Sequence, residues 1–349
     1  MHELDGAEAG GQYLRTALAL AVVEGRPVRI ENVRGDRPTP GLAHQHLAVV
    51  ETIAELCDAN VSGASVGAET VEFEPGTDGR VPGGEYAVDI PTAGSLTLLF
   101  DALLPLAGSL EAPLSVTATG GTDVAWSPPL DYLRHVKLPL LERFGLDAAV
   151  DCERRGFFPE GGGTATLRLS PSTIEPIHLT DRGALSTLRL HSIESASLAD
   201  RDVARRQLGG AIERLDPTGD VAVESNTSTV ESPSPGSAIV IELGFERSLA
   251  GTDALGERGK PAERVGEEAA DEALALLAGS AAVDPHLADQ LLVFLAISGG
   301  RLRIPSVTDH VAAAVDLLAS FDRELSVGRP EAASGSPASD ERVVTATER

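Results

Sequence analysis

The chain has 349 residues, 42% of them hydrophobic but only 3% aromatic, so it can fill either two domains or one large repeat-built domain, packed mainly by Leu, Val and Ala. Acidic residues outnumber basic ones 53 to 28, for a formal net charge of −25, and lysine occurs only at Lys137 and Lys260. Such a surface suits a salty cytoplasm, where screening contracts to about 3 Å near 1 M salt; it excludes a generally basic nucleic-acid coat but not a local arginine cluster in a cleft. No apolar run approaches a membrane span, and the N-terminus lacks a signal-peptide layout, so no membrane partner and a cytoplasmic location are expected. Cys57 and Cys152 have no metal-like spacing and read as buried thiols rather than a disulfide.

One pattern recurs along the chain: a small-residue turn, an apolar helix, a short strand, a polar loop and a second helix. The first copy predicts a helix over Tyr13 to Val23, a strand over Val28 to Val33 and a helix over Gly41 to Ala59. The second predicts a helix over Leu96 to Leu106, a strand over Leu114 to Thr119 and a helix over Asp131 to Phe144. Between it and the third copy, residues 180–276 read as an inserted small α/β domain. Its strands fall near Leu185 to Leu190 and Ala238 to Leu243, its helices near Asp202 to Leu215 and Ala262 to Leu277. The third copy predicts a helix over Ala288 to Ile297, a strand over Leu302 to Ile304 and a helix after His310. The fold class is therefore α/β (α+β): three repeated two-helix/β-sheet units around a pseudo-threefold axis, formed by residues 1–179 and 277–325. Residues 326–349 are rich in Ser, Ala, Pro, Glu and Asp and read as a disordered acidic tail.

Several stretches carry polar chemistry. In the opening Asp5 to Arg15, paired glycines start a helix whose amides can approach an anion, and Glu8 either caps it or holds a divalent cation. Arg34 and Arg37 stand at the mouth of a strand, where they grip phosphate or pair on the surface with Glu31 and Asp36. His44 and His46, two apart, point to different helix faces and make a poor metal pair. Asp289 and Gln290 are either cap residues or ligand contacts. The stretch Arg154 to Gly163 joins two strands and reads as a hairpin or as a phosphate-facing loop, the hairpin being the safer reading. His310 sits where a strand hands over to a helix, either capping it or presenting a ring nitrogen to a substrate.

Taken together, these segments resemble the RNA 3′-terminal phosphate cyclase family over about Leu4 to Phe321. The shared markers are D-G…E-x-G-G-Q-x-L-R, I-x-N-x-R-x-x-R-x-x-P-G-L-x-x-Q-H, T-A-G-S, G-G-T-D…S-P-P-x-D-Y, R-R-G-F-x-P-x-G-G-G, the Gly256 to Ala269 block and L-A-D-Q-L. The resemblance implies ATP-dependent conversion of RNA 3′-phosphate ends to 2′,3′-cyclic phosphates, with His310 as an adenylylated nucleophile and no DNA partner. It implies phosphate contacts from Arg15, Arg34, Arg37 and Gln45, a metal contact (Mg²⁺ or Mn²⁺) from Glu8, and an ATP-binding stretch His286, Leu287, Ala288, Asp289 and Gln290, with Asp101 beside it. This chain departs from the family pattern at several places. It has a shorter opening loop, His286 for an aromatic, Ala125 for a proline, Asp101 for a glutamine, Ala313-Ala314 for Thr-Asn, and Ala43 and Glu160 for basic residues. A non-catalytic ribosomal-RNA-processing scaffold is the alternative, and the retained His310 speaks against it. An enolpyruvyl transferase on similar repeats is disfavoured by the R-x-x-R and L-A-D-Q motifs.

Overall fold

In the computed structural model, residues 1–8, 10–76, 79–216, 221–330 and 340–348 are described. The chain opens with β1 (His2–Asp5), α1 (Gly11–Val23), β2 (Val28–Glu31), α2 (His44–Leu56), β3 (Asn60–Ser62) and β4 (Val71–Glu74). These strands form a sheet in the order β1-β2-β4-β3, with β1 and β2 parallel and the remaining pairs antiparallel. Helix α1 forms because it is a run of strong helix formers, with Leu14, Ala17, Leu18 and Ala21 buried. It stops where Gly25 turns left-handed (φ +59), letting the amides of Gly25 and Arg26 reach back to the carbonyls of Val22 and Ala21.

The second unit follows with β5 (Gly84–Asp89), α3 (Leu96–Leu103) and β6 (Leu114–Gly120). Next come α4 (Leu130–Tyr132), a π-helical turn over Leu133–Lys137, α5 (Leu138–Glu142), β7 (Ala148–Arg154) and β8 (Gly163–Leu169). Its sheet runs β5-β6-β8-β7, again with one parallel pair followed by two antiparallel pairs.

Strand β9 (Ile177–Leu179) precedes a separate sheet built from β10 (Leu185–Ser195), α6 (Val203–Leu215), β11 (Ala222–Val230), β12 (Ser237–Phe245), β13 (Leu249–Leu255) and α7 (Ala262–Ala278). The order here is β11-β10-β12-β13, and the buried apolar residues of this region form a cluster of their own, from Leu188 to Ala281. The chain then continues through α8 (Pro285–Gln290), α9 (Leu292–Ser298), β14 (Gly300–Ile304), α10 (Asp309–Ser320), β15 (Leu325–Gly328) and β16 (Arg342–Ala346). These strands complete a sheet in the order β9-β14-β16-β15, with β9 and β14 parallel and the other pairs antiparallel. Three of the four sheets thus share one strand order and one set of directions. The largest apolar cluster draws on all three, from Leu4 to Ala346.

The expected disordered tail is corrected. Arg342–Ala346 is an inner strand, hydrogen-bonded to β14 on one side and β15 on the other, with Val344 fully buried. Residues 331–339 and 349 of that stretch lie outside the described residues. The third helix of the sequence pattern is also two: α8 ends and α9 begins at Leu291. Both cysteines are free thiols, Cys57 buried and Cys152 partly so. Among the described residues no helix is long and apolar enough to cross a membrane.

Candidate functional site

His310 is the second residue of α10. Thr308 caps that helix, its Oγ1 accepting from the Val311 amide at 3.2 Å, so Asp309 and His310 fall in the first turn where helix amides point outward. The histidine side is exposed. It faces the start of α1: a Cβ placed on Gly10 would lie 3.7 Å from His310 Cε1 and 3.5 Å from Arg37 Nη2. The Gly-rich opening, an arginine from the β2–α2 loop and the histidine of α10 are thus brought together from positions almost 300 residues apart in number.

Gly11 is held against His46. A Cβ there would fall 2.1 Å from His46 Nε2 and 3.3 Å from Arg15 Nη1, so no larger residue fits without moving the ring. Burial, with Arg15 and Arg34 nearby, pushes the His46 pKa down to about 3, so the ring is neutral at ordinary pH. Its Nδ1 is buried without a hydrogen-bond partner.

Arg15 lines a cleft with Gln12, Asp101, Asp289 and Gln290. Its Nε is buried without a hydrogen-bond partner, and burial lowers its pKa to about 10 despite the opposing charge of Asp289. Arg34, at a left-handed backbone position (φ +56), donates from Nη1 to the Gly41 carbonyl at 2.9 Å; burial and neighbouring Arg37 lower its pKa. The surface pairing with Glu31 is not formed: Glu31 instead accepts from Arg29 Nε at 2.8 Å. No ion pair is found for Arg15, Arg34 or Arg37 among the described residues. Guanidinium groups left in this state, around an exposed histidine at a helix N-terminus, make a site for an anion. Gln45 lies deeper, its Oε1 accepting from the Ser95 amide at 3.4 Å.

On the other side of the cleft, Asp284 caps α8. Its Oδ1 accepts from the amides of His286 and Leu287 and from Tyr132 Oη at 2.7 Å, while Oδ2 accepts from the Gly251 amide at 2.9 Å. Asp289 and Gln290, open to a capping reading in the sequence, are therefore not caps; they end α8 and face the cleft. Burial raises the Asp289 pKa, and His310, His286, Lys137 and a hydrogen bond from Gln12 pull it back. Leu287 and Ala288 are core residues, 0% and 1% exposed, so their side chains do not line the cleft. His286 remains 46% exposed at its side chain; its Nε2 lies 3.4 Å from Asp253 and its ring meets Tyr132 edge-on at 5.4 Å. Burial opposes its protonation, but Asp253, Asp284 and Asp289 outweigh that and raise its pKa to about 9.

Asp101 is in direct contact with Lys137 Nζ. That lysine, the last residue of the π-helical turn, was not marked by sequence reasoning. Burial lowers its pKa, with Asp289 and Asp284 acting the other way. The sequence marked Arg155 only as part of a loop; in the structure it bridges Asp123 and Asp131 in the interior, at the base of the β7–β8 hairpin.

Glu8 is exposed beyond the Asp5 turn, in which Asp5 Oδ1 accepts from the Ala7 amide at 3.0 Å. Among the described residues no group of three or more His, Cys, Asp or Glu is placed to hold a metal ion. A lone exposed carboxylate fits a Mg²⁺ or Mn²⁺ whose other ligands are phosphate oxygens and water, and does not fit a metal caged by protein alone.

Residues 7–324 match the family model for RNA 3′-terminal phosphate cyclase. The chain is 48% identical over 335 residues to the RNA 3′-terminal phosphate cyclase of Halobacterium salinarum, covering 94% of this chain and 96% of that relative. It is 43% identical to the protein of the same name from Thermococcus onnurineus, covering 91% and 92%. With that of Pyrococcus furiosus the identity is 41%, over the same shares.

Proposed function

The chain belongs to the RNA 3′-terminal phosphate cyclase family, and from that premise we propose that it converts RNA 3′-phosphate ends to 2′,3′-cyclic phosphates at the expense of ATP, with His310 as the nucleophile. The observation that carries this reading is the exposed His310 at the N-terminus of α10, facing Gly10 and Arg37, with no ion pair made by Arg15 or Arg34 among the described residues.

A neutral imidazole nitrogen of His310 attacks the α-phosphorus of ATP; an N–P bond forms and pyrophosphate leaves. An oxygen of the RNA 3′-phosphate attacks the same phosphorus, freeing the histidine and giving an RNA-adenylate. The neighbouring 2′-hydroxyl then attacks the RNA phosphorus, loses its proton, and AMP departs. Arg15, Arg34 and Arg37 are the groups that meet the phosphate charge during transfer, and the amide end of α10 adds to them. Glu8 is the residue to hold a divalent ion, which when bound offsets phosphate charge. His286, Asp289 and Gln290 are the candidates for the nucleoside side of ATP.

The test is a 3′-phosphorylated oligonucleotide incubated with protein, ATP and Mg²⁺ or Mn²⁺. Conversion to a phosphatase-resistant end that needs ATP and is lost in His310→Ala is expected. A scaffold would bind the oligonucleotide and leave its end unchanged.

A further inference from the structure

Aromatic residues are scarce in this chain, yet among the described residues two stand out in solvent: Trp126, 99% exposed, and Phe158, 72% exposed. Trp126 is the only tryptophan. It also adopts a left-handed backbone (φ +63), a conformation that is uncommon and strained for a bulky side chain.

The two rings stand on loops that are tied together. A parallel bridge joins Asp123 to Phe157, the Thr122 amide donates to the Gly156 carbonyl at 2.9 Å, and Arg155 donates to both Asp123 carboxylate oxygens at 3.2 Å. The Trp126 loop is further fixed by Ser127 Oγ donating to the Val124 carbonyl at 3.0 Å and Thr97 Oγ1 to the Pro128 carbonyl at 2.9 Å. The Phe158 loop is fixed by the Glu160 amide donating to Ser234 Oγ at 3.1 Å. The Trp126 loop reaches a small pocket next to the cleft, which Pro128 lines together with Asp101 and Gln290, and the Phe158 loop packs at Gly161 against Ala93, two residues from the Ser95 that contacts Gln45. Trp126 and Phe158 are not among the residues lining the cleft or that pocket and stand open to solvent.

We propose that Trp126 and Phe158 form a stacking platform for the terminal nucleobases of the RNA whose 3′-phosphate enters the cleft, an inference that rests on the cyclase reading above. Two separate rings on rigid polar loops suit flat π-faces better than the contiguous groove an apolar peptide needs. Charge makes the same point. A chain of net charge −25 attracts a polyanion only locally through its arginines, and that part of the affinity falls steeply with salt. Base stacking does not carry that dependence.

The lone tryptophan makes the test direct, because its fluorescence reports on residue 126 alone. An oligoribonucleotide ending in a 3′-phosphate is expected to quench it, while ATP alone and an oligonucleotide with abasic terminal nucleotides are not. Trp126→Asn removes the ring and keeps a residue that tolerates the left-handed backbone. It is expected to raise KM for RNA by about five- to 150-fold, with KM for ATP and ATP-dependent labelling of the protein unchanged. Trp126→Tyr should restore most of the affinity, and Phe158→Ala should give a smaller rise. Quenching by ATP alone would assign the ring to the nucleotide and overturn the proposal, as would an unchanged KM for RNA in both Trp126→Asn and Phe158→Ala. Loss of ATP-dependent labelling from the unmodified protein would instead sink the cyclase reading itself.

Discussion

Lys137 Nζ lies against the Asp101 carboxylate, with the lysine side chain 1% exposed and the aspartate 18% exposed. The family resemblance implies a neutral glutamine where this chain has Asp101, and a carboxylate beside a bound phosphate would repel it. Lys137 in its ammonium form offsets that charge, and because burial lowers its pKa to about 7 it does so fully only on the acid side of neutrality. The pair also sets a firm expectation, because removing one partner from a buried ion pair strands the other charge, at about 3–5 kcal/mol. Lys137→Met is expected to lower stability by that amount and to raise KM for ATP at least tenfold. The double variant Asp101→Gln with Lys137→Met is expected to regain both. Urea unfolding and nucleotide kinetics check this, and a double variant no better than the single would separate the pair from the cleft.

Arg15 offers a second check. Its Nε is buried without a partner, and the cleft is where a planar, permanently charged fork is useful. Arg15→Met is expected to reduce kcat/KM for ATP by at least a hundredfold, and Arg15→Lys to recover only a small part. Recovery to the native value would show that a point charge alone suffices.

Gly11 admits no Cβ because His46 Nε2 occupies its place. Gly11→Ala is therefore expected to destabilise by about 1–3 kcal/mol, as overpacking does. Adding His46→Ala should restore stability, since the clash is with that ring. Thermal unfolding of the two single variants and the double variant measures the coupling.

His286 gives a pH dependence. Its folded pKa, raised to about 9 chiefly by Asp253 against the cost of burial, stands above the unfolded value near 6.5. The sign follows: its stabilising contribution is complete below about pH 6.5 and disappears as pH rises through about 9. Because the side chain is nearly half exposed, the effect is discounted for solvent screening. Unfolding midpoints of the native protein and His286→Gln should differ most at pH 6 and converge by pH 10. A constant difference would show that His286 acts through packing alone.

The residues of the candidate site stand out in the sequence because they lie in short local signatures. The Gly-rich entry to α1, the R-x-x-R loop and the strand-to-helix hand-over at His310 each read from a few neighbouring residues. That Gly10, Arg37 and His310 come together could be expected only through the family resemblance. Lys137 with Asp101 and Arg155 with Asp123 and Asp131 were not legible. Their partners are decades of residues apart, and no spacing rule connects them. The tail was misread for another reason. Its Val343-Val344-Thr345 run has the β-branched character of a strand, but the polar residues before it dominated the composition. The repeat itself demands a fourth strand in the third sheet, and β16 supplies it.

The most direct test uses ATP labelled at the α-phosphate, incubated with purified protein in molar KCl with Mg²⁺ or Mn²⁺ and no RNA. Label retained on the protein, labile in acid and absent from His310→Ala, is the expected result. Folded protein that takes up no label with either metal, or that labels equally in His310→Ala, would contradict His310 as the nucleophile.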